Sequence, residues 1–81
     1  MQPTPEQVRQ YIADHLDCTH LEVRGDGAHF EALIVSPLFE GKRTLSRHQV
    51  VYRALGERMR QEIHALSMRT LTPAEYEAER P

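Results

Sequence analysis

The spacing of apolar residues predicts an α-helix near the start of the chain. Four apolar residues follow one another at intervals of three, one and four, as they do along one face of a helix: Val8, Tyr11, Ile12 and Leu16. Just before them, Thr4-Pro5-Glu6-Gln7 has the form of a capping box with proline at the first helical position. We therefore predict a helix that begins after Thr4 and ends near Asp17.

An alternating pattern follows and predicts a β-hairpin. Apolar and polar residues alternate from Thr19 to Arg24, as in a half-exposed strand. The turn Gly25-Asp26-Gly27 tolerates positive φ angles and leads into a second strand, His29 to Val35. The residues expected to face the core from this second strand are Phe30, Ala32 and Ile34. Those expected on the opposite face, partly covered or available to a partner, are Leu33 and Val35.

A second helical pattern begins after Pro37, which cannot donate to a sheet and therefore ends the strand. Leu38-Phe39 is expected to form one short turn, Thr44 or Ser46 to cap the helix, and Gly56 to bend or divide it. Residues at helical spacing form its predicted buried stripe: Leu45, His48, Val51, Tyr52, Leu55 and Met59. The residues predicted to face outward are all arginines: Arg43, Arg47, Arg53, Arg58 and Arg60.

The remaining segments predict a third strand, His64 to Leu71, and a short last helix through Tyr76. A second capping box, Thr72-Pro73-Ala74-Glu75, opens that helix. The order is therefore helix, strand, strand, short turn, long helix, strand and helix. This order favours an α+β fold in which helices cover one face of a small sheet.

Size and composition narrow the class of protein. With 81 residues, of which 40% are apolar and 27% charged, the chain is long enough for one domain with one small core. Its longest apolar run, Ala32 to Val35, is too short to cross a membrane, and its first residues lack the basic start and apolar core of a secretory signal. The single Cys18 agrees with a reducing compartment and excludes an internal disulfide or a zinc ribbon. We therefore expect a cytoplasmic protein.

The net charge of -2 conceals an uneven distribution of charge. Residues 1–31 carry two arginines against six acids, whereas residues 32–60 carry six basic residues against two acids. The middle third could attract an anionic partner. A domain with a pI of about 6.2, however, has no overall attraction to a polyphosphate backbone.

Several motifs together make the chain resemble the BolA family. They are the hairpin GDGAHF, the run VSPLFEGKRTLSRHQVVYRALGERM, the strand entry IHALS and the closing LTPAEY. The turn before His29 is short, as in the IbaG-like branch of the family, and Tyr76 stands where the family usually has tryptophan. The resemblance implies a single BolA-like domain over residues 1–81. Its fold would be similar to a type II KH domain, α-β-β-α-α-β-α, with a three-stranded mixed sheet and helices on one face.

The resemblance also implies two activities. BolA-like proteins pair with monothiol glutaredoxins around a shared 2Fe-2S cluster, in iron-sulfur trafficking or iron sensing, and some are reported to be nucleic-acid-binding regulators. In the first activity, a cysteine of the partner and a glutathione thiol would supply the ligands that this chain lacks. The chain alone would then hold no cluster.

His29 and His64 are the candidate ligands, because iron in such a cluster accepts neutral imidazole as well as thiolate. If the second and third strands are parallel, the two side chains lie at one end of the sheet, about 4.8 Å apart or roughly twice that with a strand between them. If the strands are antiparallel, the histidines are about 20 Å apart. The helical crossover between the strands favours the parallel arrangement. Ligation should weaken at acidic pH, since protonated imidazole has no lone pair for iron.

The other histidines and the cysteine suggest ordinary structural roles. His48 is expected to be a core histidine that bonds a neighbouring strand or turn. His15 and His20 are expected to be solvated, and Cys18 is expected to behave as a small buried apolar residue.

The nucleic-acid activity depends on the place where a KH domain carries its G-x-x-G loop. Here that place is Glu40-Gly41-Lys42-Arg43, with one glycine and an acid, which weakens the close backbone approach to phosphates. Lys42, Arg43 and Arg47 could still contact DNA or RNA phosphates, or instead an acidic glutaredoxin surface or glutathione carboxylates. The alternative is an ordinary solvated helix face. No nucleophile has a base at motif spacing, so the sequence does not predict an enzyme.

Overall fold

The computed structural model describes residues 2–80, and its elements follow the predicted order. In chain order they are α1 (Pro5–His15), β1 (His20–Gly25), β2 (His29–Val35), a 3-10 turn (Pro37–Phe39), α2 (Thr44–Leu55), α3 (Glu57–Gln61), β3 (Ala65–Leu71) and α4 (Pro73–Glu79). Both predicted capping boxes are present, at Thr4 and at Thr72. Gly56, with a φ of 59°, divides α2 from α3 as predicted. Within residues 2–80, no helix combines the length and the apolar character that a membrane span requires.

The three strands form one mixed sheet with β2 in the middle. β1 pairs with β2 in the antiparallel sense through the hairpin, and β3 pairs with β2 in the parallel sense after the crossover through α2 and α3. β2 is the most apolar of the three strands, and it takes the position that has a neighbour on both edges. The predicted α+β class with a three-stranded mixed sheet is confirmed.

The core lies between one face of this sheet and helices α1 and α2. As predicted, Phe30, Ala32 and Ile34 point into it from β2 and are buried. The two helices contribute further buried side chains: Val8, Ile12, Leu16, Val51 and Leu55. One layer of helices on one sheet therefore encloses a single small core.

α4 lies across one end of the other sheet face. Its Tyr76 ring stacks on His20 with the ring centroids 4.8 Å apart, and its Glu79 forms an ion pair with Arg69 at 2.8 Å. The strand register places His20 and Arg69 on the face opposite the core, and Val35 beside His20 is fully buried there. The expectation that Val35 is only partly covered is therefore wrong, and His20, expected to be solvated, is only partly exposed because the Tyr76 ring stacks on it.

Arg47 connects α2 to the start of α4. Its guanidinium donates to both carboxylate oxygens of Glu75, at 2.6 and 3.2 Å, and to the Thr70 carbonyl at 2.9 Å. Its Nε donates to the Lys42 carbonyl at 2.7 Å. The Arg47 side chain is only 12% exposed, so the prediction that it faces outward is wrong. The reason is that a carboxylate from a distant element satisfies its charge.

The cap of α2 differs from expectation, and the 3-10 turn has a cap that was not predicted from the sequence. α2 has Arg43 at its N-cap, so neither Thr44 nor Ser46 has the predicted role, and the Arg43 side chain makes no capping hydrogen bond. Ser36, just before the proline that ends β2, is fully buried and caps the 3-10 turn. Its hydroxyl donates to the Asp17 carbonyl at 2.6 Å, which ties the segment after α1 to the end of β2.

The predicted buried stripe of α2 is only partly correct. Val51 and Leu55, one turn apart, are buried, whereas Leu45 is 72% exposed and Tyr52 is 41% exposed. Leu45 and Tyr52 are seven residues apart and form a second line on the helix, turned away from the sheet. Fewer side chains of α2 are therefore buried in the core than the apolar pattern alone predicts.

Replacing a β2 residue on the core face should destabilise the fold far more than replacing its neighbour on the other face. For Ile34→Ala we expect a loss of about 2 to 5 kcal/mol in the free energy of unfolding, because the fully buried side chain leaves a cavity. For the half-buried Leu33 we expect Leu33→Ala to cost less than half of that. Chemical denaturation of both variants measures the difference. Equal losses would contradict the assignment of the two faces.

The Arg47–Glu75 pair should make stability depend on acidic pH. Hydrogen bonds from Arg47 and from the Thr72 N–H lower the pKa of the Glu75 carboxyl from 4.5 to about 2. A carboxyl whose pKa is lower in the folded than in the unfolded state stabilises the fold at pH values above the unfolded-state pKa. This contribution is lost as the pH falls through the folded-state pKa. We therefore expect Glu75→Gln to lower the melting temperature at pH 7, with the difference from the parent protein shrinking between pH 4.5 and 2. A difference that stays constant over this range would exclude the ion pair as its source.

Candidate functional site

The structure brings His29 and His64 together at one edge of the domain. Parallel pairing sets His29 opposite Ala65, and His64 immediately precedes Ala65. The two imidazole ring centroids are 6.1 Å apart, the rings are nearly perpendicular at 85°, and both residues are exposed. β3 begins one residue later than predicted, at Ala65 rather than His64. The antiparallel alternative, which would separate the histidines, is excluded.

Turn geometry determines where His29 lies. A Cβ atom on Gly25 would lie 2.3 Å from the His29 carbonyl oxygen, so only glycine allows β1 and β2 to approach this closely. Gly27 has a φ of 98°, as the predicted turn requires. Oδ1 of Asp26 accepts hydrogen bonds from the N–H groups of Ala28 and His29, at 3.0 and 2.8 Å, and these bonds lower the pKa of the Asp26 carboxyl. The sequence indicated a turn here but not this bonding, although the spacing of Asp26 to the N–H groups two and three residues later is that of an Asx turn.

Contacts between α1 and α3 determine where His64 lies. The preceding residue, Ile63, is buried, and its N–H donates to the Arg58 carbonyl at 3.1 Å. The Tyr11 hydroxyl donates to Glu62 at 3.0 Å, and the Arg58 guanidinium lies 3.9 Å from the centroid of the Tyr11 ring. The hydrogen bond to Glu62 raises the pKa of Tyr11. His64 therefore follows a segment that is held to the first helix of the chain.

The pair has the chemistry of an incomplete metal site. A metal bound to an imidazole nitrogen at about 2.1 Å lies roughly 3 Å from the ring centroid, so rings with centroids 6.1 Å apart can reach one metal centre. Within residues 2–80, no group of three or more histidine, cysteine, aspartate or glutamate side chains is placed to hold a metal. Both rings face solvent, which leaves room for further ligands from a second molecule.

The remaining histidines and the cysteine lie away from this pair. His15 is exposed, with Nδ1 3.3 Å from the Tyr11 carbonyl oxygen, as expected for a solvated residue. His48 is only half-buried and its ring makes no hydrogen bond with residues 2–80, so the expectation of a core histidine bonded through its side chain is wrong. Cys18 packs against the core as predicted, and burial raises the pKa of its thiol. It is therefore a poor candidate for a thiolate ligand.

The predicted basic residues lie at the other end of the sheet. Lys42 and Arg43 are exposed beside Gly41, which has a φ of 76°, and neither forms an ion pair with the described residues. The loop that carries them follows the end of β2, whereas His29 begins that strand, so roughly 20 Å of strand separates the two sites. Arg47 is bound to Glu75 and is not a free cation of this loop. Lys42 and Arg43 therefore cannot share a small ligand with the histidine pair.

Comparison with known proteins gives consistent results. Residues 4–75 match the family model described as BolA-like protein. The chain is 46% identical over 78 residues to Protein BOLA2 of Arabidopsis thaliana, covering 90% of this chain and 83% of that protein. It is 33% identical over 75 residues to the acid stress protein IbaG of Escherichia coli K12, covering 91% of this chain and 89% of that protein. It is also 40% identical over 60 residues to the DNA-binding transcriptional regulator BolA of Haemophilus influenzae, covering 74% of this chain and 58% of that protein.

The solved structures show the same fold. The structure of a BolA protein homologue from Coxiella burnetii superposes with a TM-score of 0.82 at 46% identity, covering 94% of this chain and 99% of that chain. The family model covers most of the helices and all three strands described above. The predicted membership is thus confirmed by sequence and by fold, and the chain belongs to the BolA-like protein family.

Proposed function

We propose that this protein is a non-enzymatic adaptor that pairs with a monothiol glutaredoxin and co-ligates a bridging 2Fe-2S cluster, in iron-sulfur trafficking or iron sensing. The observation that supports this proposal most is the meeting of His29 and His64, two exposed imidazoles with ring centroids 6.1 Å apart. His29 begins β2 and His64 immediately precedes β3, so the two imidazoles converge from segments 35 residues apart in the chain.

The donor set explains why a partner is needed. A 2Fe-2S cluster takes four ligands from its surroundings, and His29 with His64 would supply two of them. The other two would be a cysteine of the glutaredoxin and a glutathione thiol. When bound, the cluster supplies electron-accepting iron and a visible chromophore, and histidine ligation raises its reduction potential. The residues of this chain orient the two imidazoles and leave the other side of the site open.

Removing either imidazole should remove the contribution of this protein to the cluster. Mixed with a monothiol glutaredoxin and a reconstituted cluster, the parent protein should shift the visible absorption and circular dichroism relative to the glutaredoxin alone. We expect His64→Ala and His29→Ala to abolish or strongly reduce that shift, and the shift to weaken at acidic pH because protonated imidazole cannot bind iron.

A matched control is His15→Ala, which removes an exposed imidazole at the end of α1, outside the pair. It should leave the spectrum of the mixture unchanged. If His64→Ala also leaves the spectrum unchanged, the proposed ligand assignment is wrong.

A second candidate function is regulation of transcription or RNA through nucleic-acid binding. Two observations favour it: the related Haemophilus influenzae protein is named a DNA-binding transcriptional regulator, and Lys42 and Arg43 are exposed without ion-pair partners among the described residues. By the resemblance to a KH domain, both cations would correspond to the loop that contacts the nucleic-acid backbone.

This candidate predicts binding that depends steeply on salt. The double substitution Lys42→Ala with Arg43→Ala should weaken binding to a duplex or a single strand and reduce the slope of log affinity against log salt by about 2, one for each lost phosphate contact. Gel retardation or fluorescence anisotropy over a salt series measures that slope. His64→Ala is the control, since it lies at the other end of the sheet. No binding by the parent protein at low salt would exclude this function.

A further inference from the structure

One residue, Asp26, bonds both backbone polar groups of His29, the N–H through its side chain and the carbonyl through its own backbone N–H. Oδ1 of Asp26 accepts from the His29 N–H at 2.8 Å, and the Asp26 N–H donates to the His29 carbonyl at 3.2 Å. The same Oδ1 accepts from the Ala28 N–H at 3.0 Å. Asp26 therefore fixes the two residues through which the chain enters β2.

The same turn also reaches the residue next to His64. The Ala28 carbonyl accepts from the Ala65 N–H at 3.2 Å, which joins the turn to the first residue of β3. A continuous path of hydrogen bonds thus runs from Asp26 through Ala28 to Ala65, with one imidazole of the pair at each end. The adjacent Gly25, whose absent Cβ would collide with the His29 carbonyl, restricts the turn further.

We propose that Asp26 is a positioning residue for the metal-ligand pair: its carboxylate oxygen fixes the hairpin so that the His29 ring faces the His64 ring. This inference rests on the proposed function, which gives the two rings a reason to be held together. His29 is exposed and gains little orientation from packing, so the turn must supply the order that a ligand needs before binding.

The hydrogen bonds of Asp26 indicate which chemical group this position requires. Both backbone N–H groups donate to the same oxygen, so an oxygen at that distance from the backbone is sufficient and the negative charge is not needed. Asparagine presents such an oxygen, and alanine presents none. Glutamate keeps the charge but places its oxygens one methylene further away. Comparing substitutions of Asp26 by asparagine, glutamate and alanine therefore distinguishes the effect of losing the acceptor oxygen from the effect of losing the negative charge.

The test compares Asp26→Ala, Asp26→Glu and Asp26→Asn with the parent protein. Asp17→Ala is the matched control, because it removes another exposed acid that lies outside the hairpin. Proton NMR of the protein alone measures the cross-relaxation between the His29 and His64 rings. Visible circular dichroism of the cluster-loaded mixture measures how much glutaredoxin is needed to form the shared complex, and thermal unfolding measures stability.

We expect Asp26→Ala and Asp26→Glu to lose the cross-relaxation between the rings and to weaken formation of the shared complex about tenfold, as is typical when support for a metal ligand is removed. Asp26→Asn and Asp17→Ala should match the parent protein in both measurements. If Asp26→Ala does not fold, Asp26→Glu against Asp26→Asn decides the question alone.

The inference is overturned if Asp26→Glu keeps the ring contact, or if Asp26→Asn loses it. It is also overturned if the ring contact is lost but the shared complex forms as readily as with the parent protein. If the parent protein forms no shared complex at all, the proposed function fails, and the NMR comparison still decides whether Asp26 positions the rings.

Discussion

Parallel pairing of β2 with β3 is the constraint on which the candidate site depends. It brings the first residues of both strands to the same edge, and the register of His29 with Ala65 sets how far apart the two imidazoles lie. A slip of one residue would turn every side chain of β3 to the other face and would expose apolar residues of the core. The register that packs Leu66 and Met68 of β3 against the core is therefore also the one that joins the histidines. Core packing and site geometry have one origin.

Elements whose signals are local could be predicted from the sequence. The bounds of β2 follow from its alternation, the turn before it and Pro37 after it, and both capping boxes follow from residues three positions apart. The environments of Arg47 and Val35 could not be predicted, because both depend on α4. Arg47 binds Glu75, which is 28 residues away, and Val35 is fully buried beside His20, on whose ring Tyr76 of α4 stacks. Helical periodicity predicts which side chains share a face of a helix, but it does not predict which charged residue from a distant segment will pair with them.

The candidate site was likewise only partly predictable from the sequence. The positions of His29 and His64 at the starts of two strands, with a crossover between them, predicted their meeting through the general rule for such connections. The 6.1 Å separation and the exposure of both rings needed the structure, since they depend on strand register and on what covers each end. The sequence alone left open whether Lys42 and Arg43 could bind glutathione beside the histidines, whereas the sheet places the two groups at opposite ends.

The two ends of the sheet are stabilised by different means, and this division bears on function. At the far end, buried Ser36 ties the segment after α1 to the 3-10 turn, and the nearly buried Arg47 ties α2 to α4. At the histidine end, backbone hydrogen bonds of the hairpin hold the chain while the two rings stay in solvent. The exposed imidazoles lie outside the small core, so their ring nitrogens are accessible to a second molecule. In the proposed function a second molecule supplies the remaining ligands, because no third metal-binding side chain among residues 2–80 joins this pair.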